Sequence, residues 1–318
     1  MMNNENQQAI DALKQVALSG IDEQRSARRW SIFFKLAWLL LFAFFIIAII
    51  GSSSTINSKM TTAQSYTALI DIEGIILQGA DASADNIIPA LQDAFEDKKV
   101  EGIVLRCNSP GGSPVQSSNI YNEIIRLREI HKDKKVIAVA SDLCASGGYF
   151  IVSAADEIYA NKSSLVGSIG VRMQGFGVVE AMQKLGIENR ELTAGEHKAI
   201  LDPFSPRKPE DEAFVKKMLA TTHKHFIDAV KAGRGDRLKN DPDIFSGLFW
   251  TGEDAKELGL IDGFGSAEYV AREIIKAETM VNFNLDKDIF ERIGQRIGAT
   301  ISNVLLQSNS SSGTMLYK

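Results

Sequence analysis

The stretch VIAVASDLCASGGYF, residues 136–150, decides how the rest of the chain is read. A short apolar run, Val136 to Ala140, precedes a polar bridge and then Ser146-Gly147-Gly148, after which Tyr149 to Ala155 is apolar or small: strand, turn, helix. A serine at such a junction stands at the carboxyl end of a strand. The unpaired N–H groups and positive end of the following helix favour negative charge developing there. A serine ahead of two glycines equally suits a plain helix N-cap. A nucleophile would need a base and an oxyanion site elsewhere in the chain.

Upstream, the pattern alternates. Ala68 to Leu77 reads as a strand, Asn86 to Asp97 as a helix with Pro89 in its first turn, Gly102 to Cys107 as a strand, and Ser117 to His131 as an amphipathic helix. Strands alternating with helices of about a dozen residues imply βαβ crossovers and an α/β fold with a mainly parallel sheet. Ligand chemistry in such sheets lies beyond the carboxyl ends of the strands. Asn108-Ser109-Pro110-Gly111-Gly112-Ser113 occupies such a position, and its paired glycines let backbone N–H groups approach a substrate with no Cβ in the way. The same residues also suit an ordinary Pro-Gly turn.

Downstream, Val166-Gly167-Ser168-Ile169-Gly170-Val171 reads as a strand or strand entry, Val178 to Leu185 as a helix and Glu188 to Leu192 as an extended segment. Gly195-Glu196-His197-Lys198 then offers two candidate bases side by side. Adjacent side chains of an extended segment point to opposite faces, so only one of the two can address a serine. Pro209 to Gly233 has the pattern of a long helix, with Arg234-Gly235-Asp236-Arg237 as solvated loop or contact charges at its end. Thr251 to Leu258 and Ser266 to Lys276 read as helices. Residues 286–305 read as an amphipathic segment suited to a neighbouring subunit or its own core in preference to a membrane surface, and Ser308 to Thr314 as a disordered tail.

The amino-terminal third differs in kind. Ile32 to Ile50 is continuously apolar apart from Lys35, and nineteen residues rise about 28 Å as a helix, close to the hydrocarbon thickness of a bilayer. We read it as an uncleaved transmembrane anchor in preference to a core helix or a signal peptide. Arg25, Arg28, Arg29 and Lys35 gather on its amino-terminal side, which places the amino terminus in the cytoplasm and the rest outside it. The expected organisation is a cytoplasmic segment 1–31, an anchor 32–50, a Ser/Thr-rich linker 51–65, a catalytic domain 66–280 and an amphipathic helix with tail 281–318.

The net charge of −5 argues against a nucleic-acid partner. Two cysteines, Cys107 and Cys144, exclude a disulfide framework and cysteine-cluster metal sites; we expect two buried thiols, a single bridge being permitted. No cofactor is called for.

Asn108-Ser-Pro-Gly-Gly112, Ala145-Ser-Gly-Gly-Tyr149, Gly167-Ser-Ile-Gly-Val171 and Gly195-Glu-His-Lys198, in this order and spacing, resemble the signal peptide peptidase A family of membrane-anchored Ser/Lys-dyad proteases over roughly residues 66–277. The resemblance implies a crotonase-like, Clp-protease-like superfold of repeated ββα units. It implies Ser146 as nucleophile, Lys198 as general base, Gly111 and Gly112 at the oxyanion site and Ser168 orienting the lysine. It further implies signal peptides or similar apolar peptides as substrates, a bacterial inner-membrane location with the catalytic domain extracytoplasmic, and a homo-oligomeric ring. An acyl-CoA enzyme of the same superfold and an idle scaffold for membrane-protein quality control are the competing expectations.

Overall fold

The computed structural model describes residues 30–42 and 65–284. They belong to two compact units, Met1–Ala63 and Gln64–Lys318. In the first, residues 30–42 form a helix, α1. Among the described residues no helix is long and apolar enough to cross a membrane. The remainder of the apolar run, 43–50, lies outside the described residues, as do segment 1–29, the linker up to residue 64, the amphipathic segment 286–305 and the tail.

The second unit opens with three turns of strand and helix: β1 (Tyr66–Glu73), α2 (Ala84–Glu96), β2 (Val100–Ser109), α3 (Pro114–Ile130), β3 (Lys135–Ala145) and α4 (Gly147–Val152). Then come β4 (Glu157–Ala160), β5 (Leu165–Gly167), α5 (Val179–Leu185), α6 (Pro209–Arg234), β6 (Phe249–Thr251), α7 (Gly252–Glu257), β7 (Gly263–Phe264), α8 (Ala267–Tyr269, running on as a π-turn over Val270–Ile275) and β8 (Met280–Asn282). One sheet runs β6-β5-β3-β2-β1-β8, with β4 pairing β3 and β7. Every pairing is parallel except β5 with β6.

Ile103, Val104 and Leu105 of β2 and Val136, Ile137 and Ala138 of β3 are fully buried in unbroken runs. A strand covered on both faces needs apolar residues at consecutive positions, which is why these segments do not alternate.

β3 is longer than its apolar run suggests, because it serves two partners in succession. Ile137 to Ala140 pair with β4, and Leu143 to Ala145 pair with β5. The polar Ser141 and Asp142 sit at the changeover, where partial exposure tolerates them. Glu188 to Leu192, expected to be extended, forms no strand and is exposed.

Two expectations are corrected. Cys107 and Cys144 are joined as a disulfide rather than standing as two thiols: the ends of β2 and β3 bring their Cα atoms to 5.5 Å, within bonding range. Spacing along the chain carries no trace of that proximity. Arg234 is not a solvated loop charge but is fully buried at the end of α6. Its guanidinium donates two bonds to Asp262, at 2.8 and 2.9 Å, and one to the Gly259 carbonyl at 2.9 Å.

Burial pushes the Asp262 carboxyl up, but the Arg234 bonds and charge, the Ile158 N–H and Arg237 outweigh it and hold the group below its ordinary value. Removing one partner of a buried pair strands the other, so Arg234→Ala is expected to cost about 3–5 kcal/mol in urea unfolding. A carboxyl with a depressed folded pKa contributes stability that is complete above its unfolded value, about 3.9, and lost as pH falls through the folded one. The stability gap between the protein and its Asp262→Asn variant therefore narrows below about pH 4.

Candidate active site

The site forms where β2, β3 and β5 end together. Ala145 pairs with Gly167, and the Ser146 N–H donates to the Gly167 carbonyl at 2.9 Å. Ser146 is therefore delivered one residue past the last rung of the ladder, at the start of α4.

Its backbone is held at φ 52°, ψ −123°, a conformation that L-residues adopt only under constraint, at a cost of about 1–3 kcal/mol. The constraint is visible. Gly147 to Val152 are all buried, Phe150 stacks on Phe226 and edges Tyr121, and the Tyr149 hydroxyl donates to the Leu260 carbonyl at 2.7 Å. Ser146 makes no side-chain capping bond to α4. Ser146 is half-buried, and its hydroxyl is not used as a helix cap.

Gly111 and Gly112 lie against it. Both have positive φ, 93° and 157°. A Cβ on Gly111 would stand 2.7 Å from the Ser146 Cβ and 2.6 Å from the Gly147 nitrogen; one on Gly112 would stand 2.1 Å from the Ile76 carbonyl oxygen. No side chain fits at either position. The turn is clamped from outside: Ile76 N–H donates to the Gly111 carbonyl at 3.0 Å, and Ser113 N–H to the Ile76 carbonyl at 2.7 Å.

The Gly111 N–H donates to the Ser109 hydroxyl at 3.1 Å, and that hydroxyl donates to the Gly74 carbonyl at 2.6 Å. Gly111 thus supplies room and curvature while its donor is engaged. Among the described residues the N–H groups of Gly112 and Gly147 donate to no loop or cap carbonyl. Gly112 N lies 3.2 Å from where a Gly147 Cβ would be, so the Gly111–Gly112 turn packs closely on the start of α4. Gly147, which the sequence did not single out, has the unpaired N–H expected at the first position of a helix.

Ser168 follows Gly167 and also has positive φ, 51°. Its N–H donates to the Leu248 carbonyl at 2.7 Å, and the register that aligns Ala145 with Gly167 sets Ser168 next to Ser146.

Four of the five expected residues, Ser146, Gly111, Gly112 and Ser168, thus come together. Lys198 lies on the segment between α5 and α6. It sits in an exposed turn, with its N–H bonded to the Gly195 carbonyl at 3.1 Å. His197 is also exposed, its Nδ1 3.6 Å from the Asp211 carboxylate on α6. Among the described residues no hydrogen bond or ion pair links either side chain to Ser146. A cleft of about 630 Å³ opens at the changeover of β3, between Ser141, Asp142, Asn161 and Phe264, and Ser146 does not line it.

Fold and site together define a class: a mainly parallel α/β domain in which a constrained serine faces a double-glycine turn. Residues 128–281 match the model of peptidase family S49. A putative protease of Methanocaldococcus jannaschii is 33% identical over 228 residues, covering 69% of this chain and 72% of that protein. A putative signal peptide peptidase of Enterococcus faecium is 28% identical over 183 residues, 58% of this chain and 53% of that protein. A protein of Brucella abortus named as a Na(+)/H(+) antiporter is 42% identical over 223 residues, 69% of this chain; the match spans 30% of that protein's length. The chain belongs to peptidase family S49, a family of serine peptidases.

Proposed function

We propose that this protein is a membrane-anchored serine endopeptidase of the crotonase-like, Clp-protease-like superfold. Residues 32–50 would be its anchor, the domain 66–280 would face the extracytoplasmic side, and spent signal peptides or similar apolar peptides would be its substrates. The observation that carries the proposal is Ser146: a constrained backbone, a hydroxyl unused as a cap, and a double-glycine turn pressed against it. The substrate class draws support from the relative named as a putative signal peptide peptidase.

In the proposed reaction neutral Lys198 takes the Ser146 proton as Oγ attacks the peptide carbonyl carbon. Negative charge on the carbonyl oxygen is met by the free N–H groups at Gly112 and Gly147, each such donor being worth about 10² to 10³ in rate. The carbon–nitrogen bond breaks, the leaving amine takes the proton from Lys198, and water then releases the acyl group by the same route. Ser168 orients the lysine.

Lysine acts as a base only when burial disfavours its ammonium, and in the single chain Lys198 is exposed. The segment that carries it also exposes Met173, Phe176, Leu185, Ile187 and Leu192, the last almost completely. A run of exposed apolar side chains marks a surface that something covers. We take the cover to be a neighbouring copy in a homo-oligomeric ring, whose assembly buries Lys198 and completes the dyad.

Fluorophosphonate labelling of the full chain in detergent, followed by peptide mass spectrometry, tests the proposal. The adduct is expected on the peptide that contains Ser146. An adduct elsewhere, or coenzyme A binding with no adduct, refutes it.

A further inference from the structure

The disulfide lies at a break in the sheet. Up to Cys107 and Ala140 the β2–β3 ladder is regular; it resumes only at Ser109 and Cys144, so β2 advances from Cys107 to Ser109 while β3 advances from Ala140 to Cys144. On its other side β3 changes partner over the same residues, from β4 at Ala140 to β5 at Leu143. The hydrogen-bond ladder is thus interrupted on both sides of Ser141 and Asp142.

What lies beyond the break is the site itself: Ser109-Pro110-Gly111-Gly112 on β2 and Ala145-Ser146-Gly147 on β3. The break is crossed by a hydrogen bond from the Leu143 N–H to the Asn108 side-chain carbonyl at 3.3 Å and by the Cys107–Cys144 bond. Cys107 is the last residue of the regular ladder on β2, and Cys144 is the first of the resumed ladder on β3, two residues before Ser146. Both are fully buried, and a Cβ on Gly148 would stand 3.1 Å from the Cys107 sulfur, so the bridge lies directly beneath α4.

We infer that the Cys107–Cys144 disulfide is a positioning cross-link for acyl transfer: with the single resumed rung Ser109–Cys144, it sets the separation between the Gly111–Gly112 turn and Ser146 where the ladder is broken. The inference rests on the reading of Ser146 as the nucleophile. Reactivity depends steeply on that separation, since a displacement of about 1 Å can cost about 10²-fold. Opening the bridge requires a dithiol, which gives up two electrons and two protons to leave two protein thiols and is itself oxidised to a cyclic disulfide.

The test uses the full chain in detergent, purified from an oxidising compartment, and its Cys107→Ala/Cys144→Ala variant. Three quantities are measured: the rate of fluorophosphonate labelling at Ser146, kcat and KM on an apolar peptide, and Tm. The expected result is a fall of about tenfold or more in labelling rate and kcat with KM changed by less than about twofold, at temperatures well below the variant's Tm. A purely structural bridge would lower Tm and leave kcat unchanged, which overturns the inference. So do free thiols at Cys107 and Cys144 in the purified protein. Should the variant not fold, dithiothreitol treatment of the unaltered protein, with thiols counted by alkylation, is expected to give the same loss, reversed on reoxidation; full activity with both thiols alkylatable overturns the inference. Absence of labelling in the unaltered protein would overturn the proposed function and this inference with it. Normal labelling there with an unchanged variant overturns the inference alone.

Discussion

Ser146→Ala is expected to erase fluorophosphonate labelling and to lower peptide hydrolysis by roughly 10⁴ to 10⁶, the range seen when a nucleophile acting with a base is lost. The effect is large because the removed Oγ forms the bond to substrate, while the backbone donors left behind can stabilise only a reaction that no longer starts. Ser146→Gly separates chemistry from strain. It is equally inactive, but glycine adopts φ 52° without the penalty that serine bears, so its thermal stability should exceed that of the alanine variant by about 1 kcal/mol. Retained hydrolysis in Ser146→Ala, with labelling at another residue, would remove the basis of the proposed function.

Lys198→Ala is expected to lower hydrolysis by about 10⁴ or more while leaving the assembled state, measured by light scattering in detergent, unchanged. Lys198→Arg should not rescue it, because a guanidinium cannot give up its proton to become a base. The adjacent His197→Ala should stay within a few-fold of the unaltered protein, since His197 stands beside Asp211 rather than the serine. Full activity of Lys198→Ala would refute the dyad, and loss in His197→Ala would transfer the role of base to the histidine.

The parallel α/β plan was legible because a doubly covered strand must be apolar at successive positions and a crossover helix must carry one apolar face. Residues 103–105 and 136–140 meet the first condition, and Pro114–Ile130 the second. Ser146 and the Gly111–Gly112 turn were legible for a local reason: a strand-to-helix junction and a turn that excludes Cβ atoms are both properties of short sequence. The three-residue strands β5, β6 and β8 were harder to see, because so few residues carry no period.

Sequence by itself determined the alternation of strands and helices, the apolar run 32–50, and the residue types that a serine-based site needs, since each is encoded in neighbours along the chain. Only the tertiary structure decided that Arg234 is buried on Asp262, that Cys107 meets Cys144, that Gly111 spends its N–H on Ser109 and leaves the donors at Gly112 and Gly147, and that Lys198 stays exposed in a single chain. The meeting of Cys107 and Cys144 depends on how far apart the strand ends finish after the register between β2 and β3 has shifted, and a register is a relation between strands that neither strand carries alone.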